Sequence, residues 1–238
     1  MGNTHKKILS FIKAFLSILI LFVISGCAAN NSILKIEDET FSVKMLKGKK
    51  IGVVQAQVIE NDVTKESKNP RLKIDDDEEA ANLRKDSQIL IVGKLNKAGA
   101  GFAAEVIDKI NQPGENYNGN VFPVKNVDGV YRVVMDSSFK LPDGVRKSYD
   151  YILIPVTILV NNVTDINTQS KSVDLIDPGI GVSVNYCIYD VKRGNIVATG
   201  LVQGTVDKSG TIDKSIGRNA VLLALDKAGS ELAAILAD

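Results

Sequence analysis

The chain of 238 residues has no tryptophan, two cysteines and a single histidine. That histidine is His5, so the body of the chain is histidine-free. This excludes a Ser-His-Asp or Cys-His mechanism and any zinc site with an imidazole ligand. Charge of one sign is also lacking, since 29 basic residues face 28 acidic ones. No overall electrostatic footprint for nucleic acid follows from such a balance. Nor is there a long hydrophobic run. The longest near the start, residues 14–24, is eleven residues, whereas a spanning helix needs about 20.

What is present at the start is ordered. His5, Lys6, Lys7 and Lys13 make a basic beginning with no acid before Glu37, the apolar run follows, and Ser25 and Gly26 lead to Cys27. Basic region, short apolar region and small residues in that order form a signal peptide. Ile24-Ser25-Gly26-Cys27 resembles the lipobox of bacterial lipoproteins. The resemblance implies cleavage after residue 26, a diacylglyceryl group on the Cys27 thiol and a third, palmitate-type chain on the new amino group. One acyl chain holds a protein marginally and two or more hold it stably. Ala28 follows, and the family's rule for Gram-negative cells places a lipoprotein without aspartate there in the outer membrane, facing the periplasm. The bland alternative is an uncleaved anchor helix, which Lys13 shortens.

Cleavage defines three parts: a signal peptide (1–26), a lipidated amino terminus and tether (27–46), and a single periplasmic domain (47–238), long enough for a sizeable core. Three lysines leave with the leader, so 26 basic residues remain against 28 acidic ones, a net charge of about −2. Cys187 is then the only unmodified thiol, and no internal disulfide can form. It lies in a strand-like run and reads as a buried, inert thiol, with a covalent link to a partner as the alternative.

Residues 50–58 read as a first core strand. The acidic run Asp75-Asp76-Asp77-Glu78-Glu79 reads as a solvated face or helix start; it lacks the alternating ligands and glycine of a calcium loop. Residues 88–92 suit a strand or a buried helical turn. The spacing of Phe102, Ala103, Val106, Ile107 and Ile110 predicts a helix, stopped by Gln112-Pro113-Gly114. Gly99-Ala100-Gly101 with Ala104 imitates a dinucleotide fingerprint, but no strand enters it directly and no acid follows about 20 residues on. The glycines therefore read as a turn, and no cofactor is expected. Strand-like pieces lie at 121–124 and 130–135, and a long core strand at 149–160, where Pro155 removes a ladder donor and predicts an edge, a bulge or a break. Residues 181–191 and 195–206 predict an antiparallel hairpin with Gly194 supplying a left-handed residue. Its two faces are both apolar, which makes it central. A closing helix follows, with Val221, Leu225, Ala228, Leu232 and Ile235 along one stripe and Ile216, Ala220, Leu223 and Leu236 broadening it.

The opening strand, the long strand introduced by Tyr149-Asp150-Tyr151 and the hairpin with Asp190, Lys192 and Gly194 resemble envelope lipoproteins whose domain is similar to the amino-terminal domain of TolB. These include the curli-secretion lipoprotein and the activators of peptidoglycan synthases. The resemblance implies an α/β (α+β) fold with a mixed, largely antiparallel sheet, helices mainly on one face and a closing C-terminal helix. It also implies work by protein contact rather than catalysis. The expected function is thus a membrane-anchored, non-enzymatic binding or assembly module whose partners are the membrane, through Cys27, and an envelope protein. One alternative is a homo-oligomeric subunit of an outer-membrane secretion complex, although residues 121–135 and 156–182 are too irregular for a spanning hairpin. Another is a histidine-independent envelope hydrolase using carboxylates or a pair such as Ser209 with Lys214.

Overall fold

Runs of β-branched and aromatic residues lay down the middle of the molecule, because such side chains pack well on a pleated surface. The computed structural model describes residues 32–62, 77–107, 122–135, 139–163, 179–206 and 216–238. In chain order the elements are β1 (Ile33–Ile36), a 3-10 turn (Val43–Leu46), β2 (Lys50–Val53), β3 (Val58–Asp62), α1 (Asp77–Lys97), β4 (Ala103–Val106), β5 (Val124–Val127) and β6 (Val130–Val133). Then come α2 (Asp143–Ser148), β7 (Tyr151–Val163), β8 (Gly179–Asp190), β9 (Asn195–Val206) and α3 (Ile216–Ala237). Seven strands form a mixed sheet in the order β1-β9-β8-β7-β2-β4, with β3 also on β7, while β5 and β6 form a separate ribbon. β2, β3 and β4 run parallel to their neighbours and β1, β8 and β9 antiparallel. The expected fold class is the one observed.

Pro155 explains how one strand serves two partners. β7 pairs with β2 over Tyr151–Leu153 and with β3 from Thr157 onward, and the register against β8 slips between Pro155 and Thr157. The residue without an N–H thus sits in the gap between two partner strands, where no ladder bond needs its donor, and its carbonyl accepts from the Gln57 N–H at 3.0 Å. The hairpin forms as its pattern dictates: β8 and β9 meet at a turn in which Gly194 has φ 77°. β8 is central and buried on both sides. Val182, Val184, Tyr186 and Ile188 enter one core, and Cys187 and Tyr189 the other.

Those two cores lie on opposite faces of the sheet. On one, α3 packs against β8 and β9 through Val221, Leu225 and Leu232, and α1 packs beside it against α3, β4 and β2 through Leu83, Ile91 and Leu95. Gly204 of β9 permits that approach, since a Cβ there would stand 1.9 Å from the Ala224 carbonyl oxygen. On the other face Phe122, Leu141, Val145 and Ile152 are buried beneath the ribbon and α2.

Three expectations need correction. Residues 102–107 are not helical: β4 runs parallel to β2 there, and the helix lies upstream as α1. The apolar spacing fitted a helix, but the bare edge of β2 bonds the backbone of Ala103 and Ile107 through the carbonyls of Lys49 and Val53, and tertiary pairing overrides weak periodicity. Of the two readings open for residues 88–92, the helical one holds: they lie in α1, with Gln88 and Ile91 buried and Ile89 exposed. Residues 32–46 are not simply a tether: β1 joins β9, Phe41 and Leu46 are buried, and the compact unit starts at Ser32. Finally, Leu223 is 57% exposed rather than part of the buried stripe; two residues from Leu225, it points to the opposite side of α3.

Candidate functional site

The edge of β4 is closed locally. Alternation sends the Ala104 N–H and C=O away from β2, and the Asn96 side chain takes both: its Oδ1 accepts from the Ala104 N–H at 2.8 Å and its Nδ2 donates to the carbonyl at 2.9 Å. An amide on α1 thereby stands in for a strand and caps an edge that would otherwise recruit one. β1, at the far edge, carries exposed Ile33 and Lys35.

Between β1 and the ribbon the ribbon-side face of the sheet remains open. A cleft of about 520 Å³ lies there, with Cys187, Val156, Ile196, Leu201 and Ile33 along the sheet and Val130, Tyr131, Arg132 and Val133 along β6. The pairing explains the lining. Ile33 faces Leu201 and Lys35 faces Thr199 across β1–β9, while Thr199 faces Cys187 across β9–β8, so alternate residues of three strands share this surface. The floor is apolar and the rim charged.

At the rim, Glu37 accepts from Lys35 Nζ at 3.1 Å and from Thr199 Oγ1 at 2.8 Å. The Lys35 bond, then the Thr199 bond, hold its carboxyl below the usual carboxylate range, with a smaller pull from Arg132. At the floor, burial pushes the Cys187 thiol far above its ordinary value, so it stays protonated and is a poor nucleophile. Tyr186, also buried, has a raised phenol for the same reason, and its hydroxyl has no hydrogen-bond partner among the described residues.

A polar tie holds the chain beyond β1 onto the hairpin turn. Asp190 accepts from the N–H groups of Lys192 and Arg193, each at 2.9 Å. Arg193 reaches Asp38 at 2.9 Å and also bonds Thr40. The aspartate that opens this turn is therefore a structural bracket, which its place in the sequence motif did not disclose.

A second concavity, between α1 and α3, has Ile89, Leu90, Leu222 and Leu223 flanked by Asp86 and Asp226. Asp226 is paired with Lys94 at 2.6 Å.

Cys27, Ser209 and Lys214 lie outside the described residues, as do Asp75 and Asp76. Asp77 opens α1, and no group of three metal-ligating side chains gathers among the described residues. Gly99 and Gly101, at φ 66° and 77°, turn the chain from α1 into β4, so a strand follows these glycines where a dinucleotide fingerprint needs a helix. No described helix is long and apolar enough to cross a membrane.

The fold and cleft define a class: a mixed sheet with two long helices on one face, a small ribbon on the other, and an open apolar cleft beside an edge strand. No protein family and no curated protein matches the sequence. Among solved structures, the PelC dodecamer from Paraburkholderia phytofirmans is similar at 11% identity, over 84% of this chain and 96% of that one, with a TM-score of 0.37. A homolog of the neuraminyllactose-binding hemagglutinin from Helicobacter pylori is similar at 10% identity, over 79% and 83%, with a TM-score of 0.41. The hypothetical protein CT253 from Chlamydia trachomatis is similar at 11% identity, over 79% and 91%, with a TM-score of 0.32. These are distant likenesses in chain path.

Proposed function

We propose that this chain is a bacterial envelope lipoprotein, anchored through lipid on Cys27 and acting by contact rather than catalysis. The observation that carries the reading is the ordered start, from basic residues through a short apolar run to Ile24-Ser25-Gly26-Cys27. The cleft supports the second half. Its one thiol is buried and protonated, the body supplies no histidine, and its apolar floor with a charged rim suits a segment of a partner protein.

Feeding cells a labelled fatty-acid precursor tests the anchor: label is expected in the wild type and absent from Cys27→Ala, and equal label in both refutes it. Crosslinking in cells from a photoreactive residue at Leu201, followed by mass spectrometry, tests the cleft. A discrete envelope protein captured there, and lost when crosslinking is done from Glu231 on α3, is the expected result. Size-exclusion chromatography separates the two contact modes, because a ring-forming subunit elutes as a discrete large assembly and an adaptor as a monomer. Robust turnover of glycan or peptide substrates by the purified protein would overturn the non-catalytic reading.

A further inference from the structure

With β1 in the sheet, only residues 28–31 separate Cys27 from Ser32, where the compact unit begins. Five Cα steps at about 3.3–3.6 Å each give a reach of about 16–18 Å. A tether of the length read from sequence would let the domain turn freely above a membrane. The short one holds the β1 end beside it.

That end of the domain is amphipathic. The ribbon turns at Asp128-Gly129, both with positive φ. Its inner face, Val124, Tyr131 and Val133, packs on the sheet. The opposite face carries Val127 opposite Val130 and Lys125 opposite Arg132. The two valines are 39% and 45% exposed, and Ile33, which shares the cleft with Val130, is 56% exposed. Two cations directly opposite each other on one face are destabilising by themselves, and an anionic surface offsets that cost. Lys35, on the neighbouring edge strand, is paired with Glu37 and adds no net charge. The nearby acids are Asp128 in the turn and Glu37, which is held by Lys35 and Thr199. Exposed apolar residues beside cations form the pattern of a segment lying in a headgroup layer. The near-neutral charge of the whole chain conceals it.

We propose that the outer face of the β5–β6 ribbon and the adjoining β1 edge lie against the bilayer that holds Cys27, with Val127 and Val130 in the headgroup layer and Lys125 and Arg132 on lipid phosphates. This rests on the lipidation of Cys27. The cleft then opens beside the membrane, and the two long helices face away from it.

The test uses the full chain, processed and lipidated in cells and reconstituted into phosphatidylcholine–phosphatidylglycerol vesicles. In a Cys187→Ala background, Val130→Cys carries a fluorophore, and Leu223→Cys on α3 serves as the reference position. Val127→Cys provides a second reporter should Val130→Cys fold poorly. Headgroup spin-labelled lipid is expected to quench the ribbon label several-fold more than the label at 223, and Lys125→Gln with Arg132→Gln is expected to reduce that difference. Equally weak quenching at both positions, with lipid on Cys27 verified by mass spectrometry, overturns the orientation and leaves the anchor standing. Absence of lipid on Cys27 overturns both. A difference unchanged by the double glutamine variant overturns the assignment of the two cations to phosphate.

Discussion

The same three strands, β7, β8 and β9, supply both faces of the central sheet, yet the two faces close differently. The helix face is sealed, mostly by aliphatic side chains, with Tyr186 and the Phe41–Tyr151 pair among them. α3 comes down on Gly204 so closely that no side chain fits between, and Ala224 and Ala228 keep the contact at backbone distance. The ribbon face relies on rings: Phe122, Phe139 and Tyr189 meet with centroids 5.2 to 6.4 Å apart, Tyr189 edge-to-face against both phenylalanines. A ribbon of four-residue strands covers only part of that face and leaves a cleft. Two helices of 21 and 22 residues can blanket a sheet where a short hairpin cannot. The stable side and the side available for contact are therefore opposite sides of one set of strands.

Substitutions that distinguish sealed from open packing test this contrast. Leu225→Ala removes a fully buried side chain from the helix face and is expected to cost about 3–4 kcal/mol in denaturant unfolding, because packing on both sides prevents collapse of the cavity. Gly204→Ala drives a methyl group into the Ala224 carbonyl and should cost about 2–3 kcal/mol. A loss well under 1 kcal/mol would mean α3 floats on the sheet. Leu201→Ala, in the floor of the cleft, is expected to cost only about 1 kcal/mol, since its surface is already partly open. A cost matching that of Leu225→Ala would show the cleft to be closed in solution.

The smallest effect belongs to neither face. The Thr40 hydroxyl and then the Thr40 N–H hold the Asp38 carboxyl well below its ordinary value of 3.8, with Asn195 and Arg193 assisting. A depressed folded-state pKa means the contribution is complete above the unfolded value and fades as pH falls through the folded one. Melting temperature measured against pH should therefore fall more steeply below about pH 4 in the wild type than in Asp38→Asn. Parallel curves would show that the polar tie adds nothing to stability.

Much of the fold was legible in the residues. The hairpin of β8 and β9, the helix stripe of Val221, Leu225, Ala228 and Leu232, and the break at Pro155 each follow from a local rule of alternation, periodicity or a missing donor. Asp128-Gly129 also carried a two-residue hairpin signal, flanked by Val127 and Val130; reading the flanking pieces as separate strands missed the ribbon. β4 was illegible for a different reason. Ala103 to Val106 has no strong preference of its own and becomes a strand because β2 offers an edge. The cleft was equally hidden, since Ile33, Cys187, Leu201 and Val130 come from four strands scattered over the chain.

By itself the sequence determined the long strands, the closing helix and the absence of histidine chemistry, because these depend on residue type and on spacing within one segment. Only the tertiary structure decided that residues 33–36 leave the expected tether for the sheet, that Asn96 closes one edge, and that a cleft opens beside the other. Those outcomes depend on which backbone groups from distant segments find each other unpaired, and no local pattern encodes that.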